Sequence, residues 1–381
     1  MQRRHAVAIL ASAALAACSA TDVTGPVARA DRRAAAGASA AVGGVFVSTN
    51  AQGGNAVVAY ARHADGSLAY TGSYPTGGLG VGGTTDPLVS QFALTLSRNA
   101  RLLFVVNAGS NSVTSFAVDG GALARVATVP SGGVRPVSVA ASQHTLYVLH
   151  GGSNTITTFD IGAHGELTPR GGAVALPPGA SGPAAVRLSP NGRLLSVTER
   201  GSNGISGFVV AADGSLGAAT SNASAGAGPF GFDYTTRGQL VVSEAGSGSA
   251  SSYAQARDGS LAVVSAAVPT LQSAPCWLIV NNAGSLAYTA NAGSSTLTGF
   301  AVSATGALTR LAADGVSANL GAGAQPLDLD MSRNGRFLYV LENGTGTIEG
   351  FAVAHDGSLA SRGEVGDGIA ALAGYMGLAA Y

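Results

Sequence analysis

Short apolar runs separated by glycine-rich turns recur along this chain, and the stretch 326–359 is the clearest copy. In its run 337–341, with the sequence FLYVL, apolar side chains fall on both faces of an extended segment. This pattern is typical of a strand that packs between two neighbouring sheets. The β-branched and aromatic residues and the frequent glycines disfavour a helix. The stretch therefore predicts four short strands, which form one propeller blade.

Seven copies of this unit can be aligned, at spacings of roughly 43 to 57 residues. A polar residue marks the end of the second strand in each copy: Asn50, Asn107, His150, Glu199, Glu244, Asn291 and Glu342. A proline opens the first strand of five copies, at Pro136, Pro183, Pro229, Pro275 and Pro326. The first copy lacks its opening strand, whereas segment 374–379 resembles the first-strand segment 228–233. We therefore expect residues 43–381 to form an all-β, seven-bladed propeller of four antiparallel strands per blade, whose C-terminal strand closes the first blade.

The first 18 residues are typical of a bacterial lipoprotein signal, with Arg3 and Arg4 before an apolar stretch and the sequence LAAC ending at Cys18. We expect lipidation at Cys18; the alternative is an ordinary signal peptide in which this cysteine occurs by chance. Residues 19–42 are rich in alanine, arginine and glycine and predict a disordered tether. The expected location is the outer membrane or cell surface of a bacterium, with the lipid anchor as the only membrane contact.

The composition disfavours a nucleic-acid partner, and we expect none. Charged residues make up 10% of the chain, the formal net charge is zero, and all 20 cationic residues are arginine. No basic stripe is therefore available to neutralise phosphates. With Cys18 in the anchor, Cys276 is unpaired; it is expected to be a buried small hydrophobe, with a reactive thiol as the alternative. We expect a monomer without a disulfide.

The polar residues at the strand ends are the main candidates for chemistry, because the loops after second strands gather around the mouth of a propeller tunnel. Glu199 and Glu244 lie on adjacent blades, and either could act as a general base toward water, with His150 as the alternative acid or base. The competing interpretation is structural, since each of these side chains could hydrogen-bond within its own loop.

Other polar residues could bind a substrate at this mouth. Asn107, Asn291 and Glu342 belong to the same ring, and Arg135 and Arg200 could hold a carboxylate bidentately, although solvated arginines are the alternative. The ring would also suit calcium, but no close-spaced run of ligands is present, so we predict no metal and no cofactor, with a divalent cation as the alternative.

Three charged residues occupy the same position in their first strands. These residues are Arg187, Asp233 and Asp330, each four residues after the repeated proline. Arg187 and Asp233 would lie on adjacent blades beside the tunnel. We expect them to form a structural ion pair.

Two repeated phrases carry a resemblance to a known family. LSPNGRLLSVTE at 188–199, MSRNGRFLYVLE at 331–342 and the recurrent DGSL resemble the lactonase family of seven-bladed propellers, which includes propeller-type 6-phosphogluconolactonases and carboxymuconate cyclases. The sequence YVLEN at 339–343 is also similar to the YVTN-type repeats of surface-layer propellers. The resemblance implies hydrolysis of a sugar or carboxylic lactone by His, Glu and Arg side chains, for which His150, Glu199, Arg200 and Glu244 match by type and blade. The alternative is a non-catalytic surface propeller that presents its polar loops to a partner or a glycan.

Overall fold

The computed structural model describes residues 40–381, so the predicted signal segment, Cys18 and the tether up to residue 39 lie outside the described residues. Export and lipidation stay predictions. The described part contains 29 β-strands and no helix. Consequently, none of its elements is a helix long and apolar enough to cross a membrane.

The strands form seven antiparallel sheets, and each sheet is one blade. Blade 1 contains β1 (Gly43–Ser48), β2 (Ala56–Arg62) and β3 (Leu68–Pro75). Blade 2 contains β4 (Leu94–Leu96), β5 (Leu102–Asn107), β6 (Ser112–Asp119) and β7 (Ala122–Pro130). Blade 3 contains β8 (Pro136–Ala141), β9 (Thr145–His150), β10 (Thr155–Ile161) and β11 (Leu167–Ala175). Blade 4 contains β12 (Pro183–Leu188), β13 (Leu194–Glu199), β14 (Gly204–Val210) and β15 (Leu216–Ala223).

The remaining blades follow the same order. Blade 5 contains β16 (Pro229–Tyr234), β17 (Leu240–Glu244), β18 (Ser249–Gln255) and β19 (Leu261–Pro269). Blade 6 contains β20 (Pro275–Val280), β21 (Leu286–Asn291), β22 (Thr296–Val302), β23 (Leu308–Arg310) and β24 (Ala318–Asn319). Blade 7 contains β25 (Pro326–Met331), β26 (Phe337–Glu342), β27 (Thr347–Val353) and β28 (Leu359–Val365). The chain ends with β29 (Met376–Ala380), the innermost strand of blade 1.

The C-terminal strand closes the ring, which confirms the prediction for blade 1. β29 pairs antiparallel with β1, and Val45, Phe46 and Val47 lie opposite Ala380, Ala379 and Leu378. Arg62 reinforces the seam, because its Nε donates a hydrogen bond to the Tyr381 carbonyl over 2.8 Å. Segments 43–48 and 376–380 therefore belong to one sheet, in which β29 takes the inner position and β1 is not left as an unpaired edge.

The repeated Asp-Gly-Ser-Leu turns connect neighbouring blades. In the first of them, Asp65 accepts hydrogen bonds from the amide and hydroxyl of Ser67, and Gly66 adopts a φ of 91° that favours glycine. The carbonyl of Gly66 accepts a hydrogen bond of 2.8 Å from the buried hydroxyl of Tyr339 in blade 7. Tyr147 and Tyr288 make the equivalent bonds to the next blade. Three of the turns thus satisfy the hydroxyl of a buried tyrosine.

Blade 6 departs from the predicted four strands, because its outer strand is broken into β23 and β24, which both pair with β22. The Ser317 hydroxyl accepts the hydrogen bond of the Gly299 amide, and the Leu311 amide bonds to the Gly299 carbonyl. The seven residues between the two short strands therefore bulge out of the sheet, while the amide and the carbonyl of Gly299 both keep a hydrogen-bond partner.

Substitution of a closing residue tests the seam. Leu378 is 2% exposed, so Leu378→Ala is expected to lower the free energy of unfolding by about 2–5 kcal/mol in urea titrations, because a cavity forms. Val263→Ala, on the outer strand β19 where Val263 is 53% exposed, is the matched control and should cost about 0.5 kcal/mol or less. If both variants lost the same free energy of unfolding, β29 would contribute no more to stability than an exposed position of β19.

Candidate functional site

The propeller has two faces, and their loops differ. The connection face carries the links between blades and the hairpins between second and third strands, such as residues 107–112 and 199–204. The cavity face carries the turns between first and second strands, such as residues 97–101, 189–193 and 332–336. The strand-end residues predicted to surround a functional opening belong to the connection face.

A segment that we call the plug, residues 86–93, occupies the tunnel on its connection-face side. Gln91, fully buried, donates a hydrogen bond of 2.9 Å to the Leu278 carbonyl and accepts one of 3.3 Å from the Leu278 amide. The Gln91 amide bonds to the Ala184 carbonyl, and the Trp277 indole N–H bonds to the Ser90 carbonyl. The plug is therefore tied to the inner strands of blades 4 and 6, on different sides of the tunnel.

The plug is not among the features predicted from the sequence, although one signal for it is present. The link between β3 and β4 covers residues 76–93, whereas the link between β7 and β8 covers only residues 131–135. A long loop inside a compact repeat usually has a function of its own. Leu88 and Phe92, two of the apolar residues within this loop, also indicate burial, and both are buried.

A cavity of about 690 Å³ opens on the cavity face, below the plug. Its wall combines inner-strand residues with the turns that follow them. Its polar lining includes Arg98, Arg187, Asp233, Asn281, Asn282 and Arg333. Its volume lies within the range of small-molecule sites, and its polar lining suits a polar ligand.

Two arginines cross the rim of this cavity. Arg98 in blade 2 donates from Nη2 to the Pro190 carbonyl of blade 4 over 2.6 Å. Arg333 in blade 7 donates to the carbonyls of Ser97, over 3.2 Å, and Arg98 in blade 2. Both follow a serine in the phrase Ser-Arg-Asn, and the repetition of this phrase at 97–99 and 332–334 is the signal that could have identified them. Neither guanidinium has a carboxylate partner among the described residues.

The predicted ion pair of Arg187 and Asp233 is confirmed, with 2.7 Å between Nε and Oδ1. The guanidinium of Arg187 also lies over the ring of Phe92, 4.3 Å from its centroid. The side chain of Arg187 is 31% exposed, and its two terminal nitrogens make no hydrogen bond within residues 40–381. Asp233 uses both oxygens, because Oδ1 also accepts from the Tyr234 amide and Oδ2 accepts from the Val280 amide. Arg187 is thus fixed by its Nε while its outer fork is free to bind a ligand.

Asp330 lies near this pair, at the corresponding position of blade 7. Its two oxygens accept hydrogen bonds from the amides of Met331 (2.8 Å) and Ala380 (2.9 Å). Burial raises the pKa of Asp330 to about 6, an effect that the charge of Arg187 opposes and that of Asp233 reinforces. With a pKa of about 6, Asp330 is mainly ionised at neutral pH and is suited to accepting a proton.

The residues predicted at the strand ends turn into their own loops. His150, Glu199 and Glu244 are buried, and none of them lines the cavity. Glu199 accepts hydrogen bonds from Ser202 and Ser206. Glu244 accepts from Ser224, Ser249 and the Gly226 amide. Burial lowers the pKa of His150, whose Nδ1 lies 3.2 Å from the Thr155 carbonyl. The structure thus gives these side chains local hydrogen-bonding partners, and their catalytic role stays a prediction.

The predicted substrate-binding residues divide into two groups. Asn107, Asn291 and Glu342 are completely buried in the same hairpins. Arg135 and Arg200 are exposed on the connection face, where they lie near Asp86 of the plug. Burial raises the pKa of Asp86 to about 7, and the charges of Arg200 and Arg135 oppose this rise. Cys276 is half-buried beside this group, and burial raises the pKa of its thiol to about 12, as for an unreactive cysteine.

Within residues 40–381, no group of three or more His, Cys, Asp or Glu side chains is placed to hold a metal ion. The calcium alternative gains no support from this part of the chain, and the prediction of no cofactor stays a prediction.

Comparison with known proteins places this geometry in context. Residues 54–181 and 93–269 match the family described as lactonase, 7-bladed beta-propeller. No match is found among curated protein sequences. A Bacteroides fragilis protein proposed to be a 6-phosphogluconolactonase has a similar structure, with a TM-score of 0.69, 19% identity, and coverage of 89% of this chain and 98% of its own. The periplasmic gluconolactonase of Pseudomonas aeruginosa gives a TM-score of 0.65 at 19% identity, covering 88% of this chain and 98% of its own.

The pH dependence of stability tests the most unusual strand-end residue. Burial raises the pKa of Glu342 to about 8, and the charges of Glu349 and Glu364 add to the rise. Because the folded pKa exceeds the unfolded one, this group's contribution to stability is complete below about pH 4.3 and is lost as the pH rises through about 8. The melting temperature of the unmodified chain should therefore fall more between pH 6 and 9 than that of Glu342→Gln.

Glu166→Gln provides the control for this measurement. Glu166 is exposed, and backbone hydrogen bonds lower its pKa, so its substitution should shift the melting temperature equally at pH 6 and pH 9. If the difference in melting temperature between Glu342→Gln and the unmodified chain is also the same at pH 6 and pH 9, Glu342 is ionised in the folded protein throughout this range.

Proposed function

Because the chain belongs to the family of seven-bladed β-propeller lactonases, we propose that it hydrolyses a sugar or carboxylic lactone in the cavity on its cavity face. The observation that carries the proposal is that Arg187 and Asp233 line a cavity of about 690 Å³. Asp330 lies behind this lining, close enough to Arg187 and Asp233 for their charges to affect its pKa. This group of three residues combines an arginine whose Nε is held by Asp233 and whose terminal N–H groups are free within the described chain with a carboxylate, that of Asp330, whose pKa is about 6. These are the two groups that ester hydrolysis by water needs.

The chemistry assigns one role to each side chain. The carboxylate of Asp330 takes a proton from a water molecule, and the resulting hydroxide adds to the lactone carbonyl carbon. The terminal N–H groups of Arg187 stabilise the negative oxygen of the tetrahedral intermediate. The bond between this carbon and the ring oxygen then breaks, and the ring oxygen receives the proton from Asp330. The product is one open-chain hydroxy acid, and Asp330 returns to its ionised form.

Asp233 acts through Arg187. It accepts three hydrogen bonds, from the guanidinium of Arg187 and the amides of Tyr234 and Val280, whereas Asp330 accepts two, both from neutral amides. Asp233 is therefore the poorer acceptor for a proton from water. A carboxylate held in this way fixes the orientation of the guanidinium.

Substitution of the two reacting groups tests the proposal. A panel of sugar and acyl lactones is assayed by proton release in a pH-stat. Asp330→Asn should lower kcat/KM by about 10²–10⁴-fold, the usual effect of removing a general base. Arg187→Met should lower it by about 10²–10³-fold, as for the loss of an oxyanion donor. Arg125→Met, on the exposed surface of β7, is the control and should retain full activity.

The same assay separates the cavity from the connection face. Glu199→Gln, Glu244→Gln and His150→Gln should leave turnover nearly unchanged in variants that keep their melting temperature. Loss of turnover in these variants, with Asp330→Asn unaffected, would move the reaction to the strand-end residues. If every lactone is hydrolysed only at the rate in water, the proposal fails and a non-catalytic binding propeller takes its place.

The pH profile gives a further test. Asp330 must be ionised to accept a proton, and its pKa is about 6. The value of kcat/KM should therefore rise about tenfold per pH unit below pH 6 and level off above it. A profile that is flat between pH 4.5 and 7.5 would exclude Asp330 as the base.

A further inference from the structure

The plug contributes one aromatic side chain to the cavity side of the tunnel. Phe92 is 4% exposed and has a φ of 63°, in a region that side chains other than glycine rarely adopt. Its carbonyl accepts a hydrogen bond of 2.9 Å from the Val139 amide, and the preceding amide, of Gln91, bonds to Ala184 over 3.0 Å. Bonds to blades 3 and 4 therefore hold a strained residue at a defined place.

What Phe92 contacts is the cation of the proposed site. The Cζ atom of Arg187 lies 4.3 Å from the centroid of the phenyl ring. At this distance the negative face of the ring attracts the guanidinium. Asp233 binds the same guanidinium at Nε. One partner thus covers a flat side of Arg187, and the other holds its inner edge.

These two contacts leave a single side of Arg187 for a ligand. The outer nitrogens carry four N–H bonds, and none of them is used within the described residues. An arginine held only by Asp233 could still rotate about the Nε–Oδ1 contact, and the outer fork would then leave the cavity. The aromatic ring removes this freedom, because rotation would lift the cation from the ring face.

We infer that Phe92 is a positioning residue that fixes the outer fork of Arg187 toward the substrate carbonyl, an inference that rests on the proposed lactone hydrolysis. Phe92 does not touch the reacting atoms and acts through Arg187. The plug then has two roles: it closes one end of the tunnel, and it orients the cation at the other.

The inference is tested by replacing Phe92 with fluorinated phenylalanines, which keep the shape of the ring while weakening the negative charge of its face. From phenylalanine through 4-fluoro- to 3,4,5-trifluorophenylalanine, kcat/KM for the best lactone should fall stepwise, by about tenfold overall. In an Arg187→Met background the same series should have no effect. A purely structural ring would lower kcat/KM equally in both backgrounds or not at all, and either result would overturn the inference.

A second readout does not depend on activity. The Nε–Hε signal of Arg187 in a ¹H–¹⁵N spectrum is assigned by its loss in Arg187→Met. It should move and exchange faster with water in Phe92→Leu, whereas Phe116→Leu, a buried phenylalanine of blade 2, should leave it in place. An unchanged signal in Phe92→Leu would refute the positioning role even if the protein proved inactive on every lactone. A changed signal in a protein without lactonase activity would refute the proposed function alone.

Discussion

The antiparallel pairing of β29 with β1 is the constraint on which the rest of the structure depends. Every blade has apolar residues on both faces of its inner strands, so no blade can bury its surface without a neighbour on each side. Four aligned residue pairs between the two ends of the chain complete the last of these contacts. Once the ring is closed, seven inner strands surround a tunnel that packing between blades cannot fill. The plug and the cavity are two results of that geometry, since the plug fills one end and the other stays open.

The low charge content of the chain makes the position of each charge informative. With 10% charged residues, most of the surface consists of Gly, Ser, Thr and Asn loops, and only a few charges lie along the inner strands. Arg187, Asp233 and Asp330 are among them, at one position of three different blades. Burial of a charge is unfavourable without a partner. The pairing of Arg187 with Asp233, and the backbone amides that bind Asp330, compensate for part of this burial.

Much of the fold could be predicted from the sequence because the fold is a repeat. Seven similar phrases fix the number of blades, the prolines mark the starts of inner strands, and the likeness of 374–379 to 228–233 indicates the closing strand. The pairing of Arg187 with Asp233 followed from their common position. The plug could not be found in this way, since residues 86–93 occur once and have no counterpart in other blades. The direction of the strand-end side chains was equally open, because a carboxylate followed by Ser-rich turns can face either a tunnel or its own loop.

The strand-end position shows why a repeated residue is a weak indicator of chemistry. In three blades, a hydroxyl residue seven positions after the strand-end residue is hydrogen-bonded to it. The pairs are Asn107 with Thr114, Glu199 with Ser206, and Asn291 with Thr298. The pair is a structural element of the hairpin, copied from blade to blade. In blade 7 the hydroxyl is replaced by Glu349, and one oxygen of Glu342 has no hydrogen-bond partner in the described chain.

If packing alone were selected, position 349 would also carry a hydroxyl residue, because its hydroxyl would donate a hydrogen bond to the buried carboxylate of Glu342. The departures from the repeat are therefore the more informative positions. Glu349 raises the pKa of a buried neighbour, the plug replaces half of an inner strand in blade 2, and Arg98 and Arg333 connect turns across the rim. In a propeller the common residues build the ring, and the residues that occur in one or two blades give its two faces different properties.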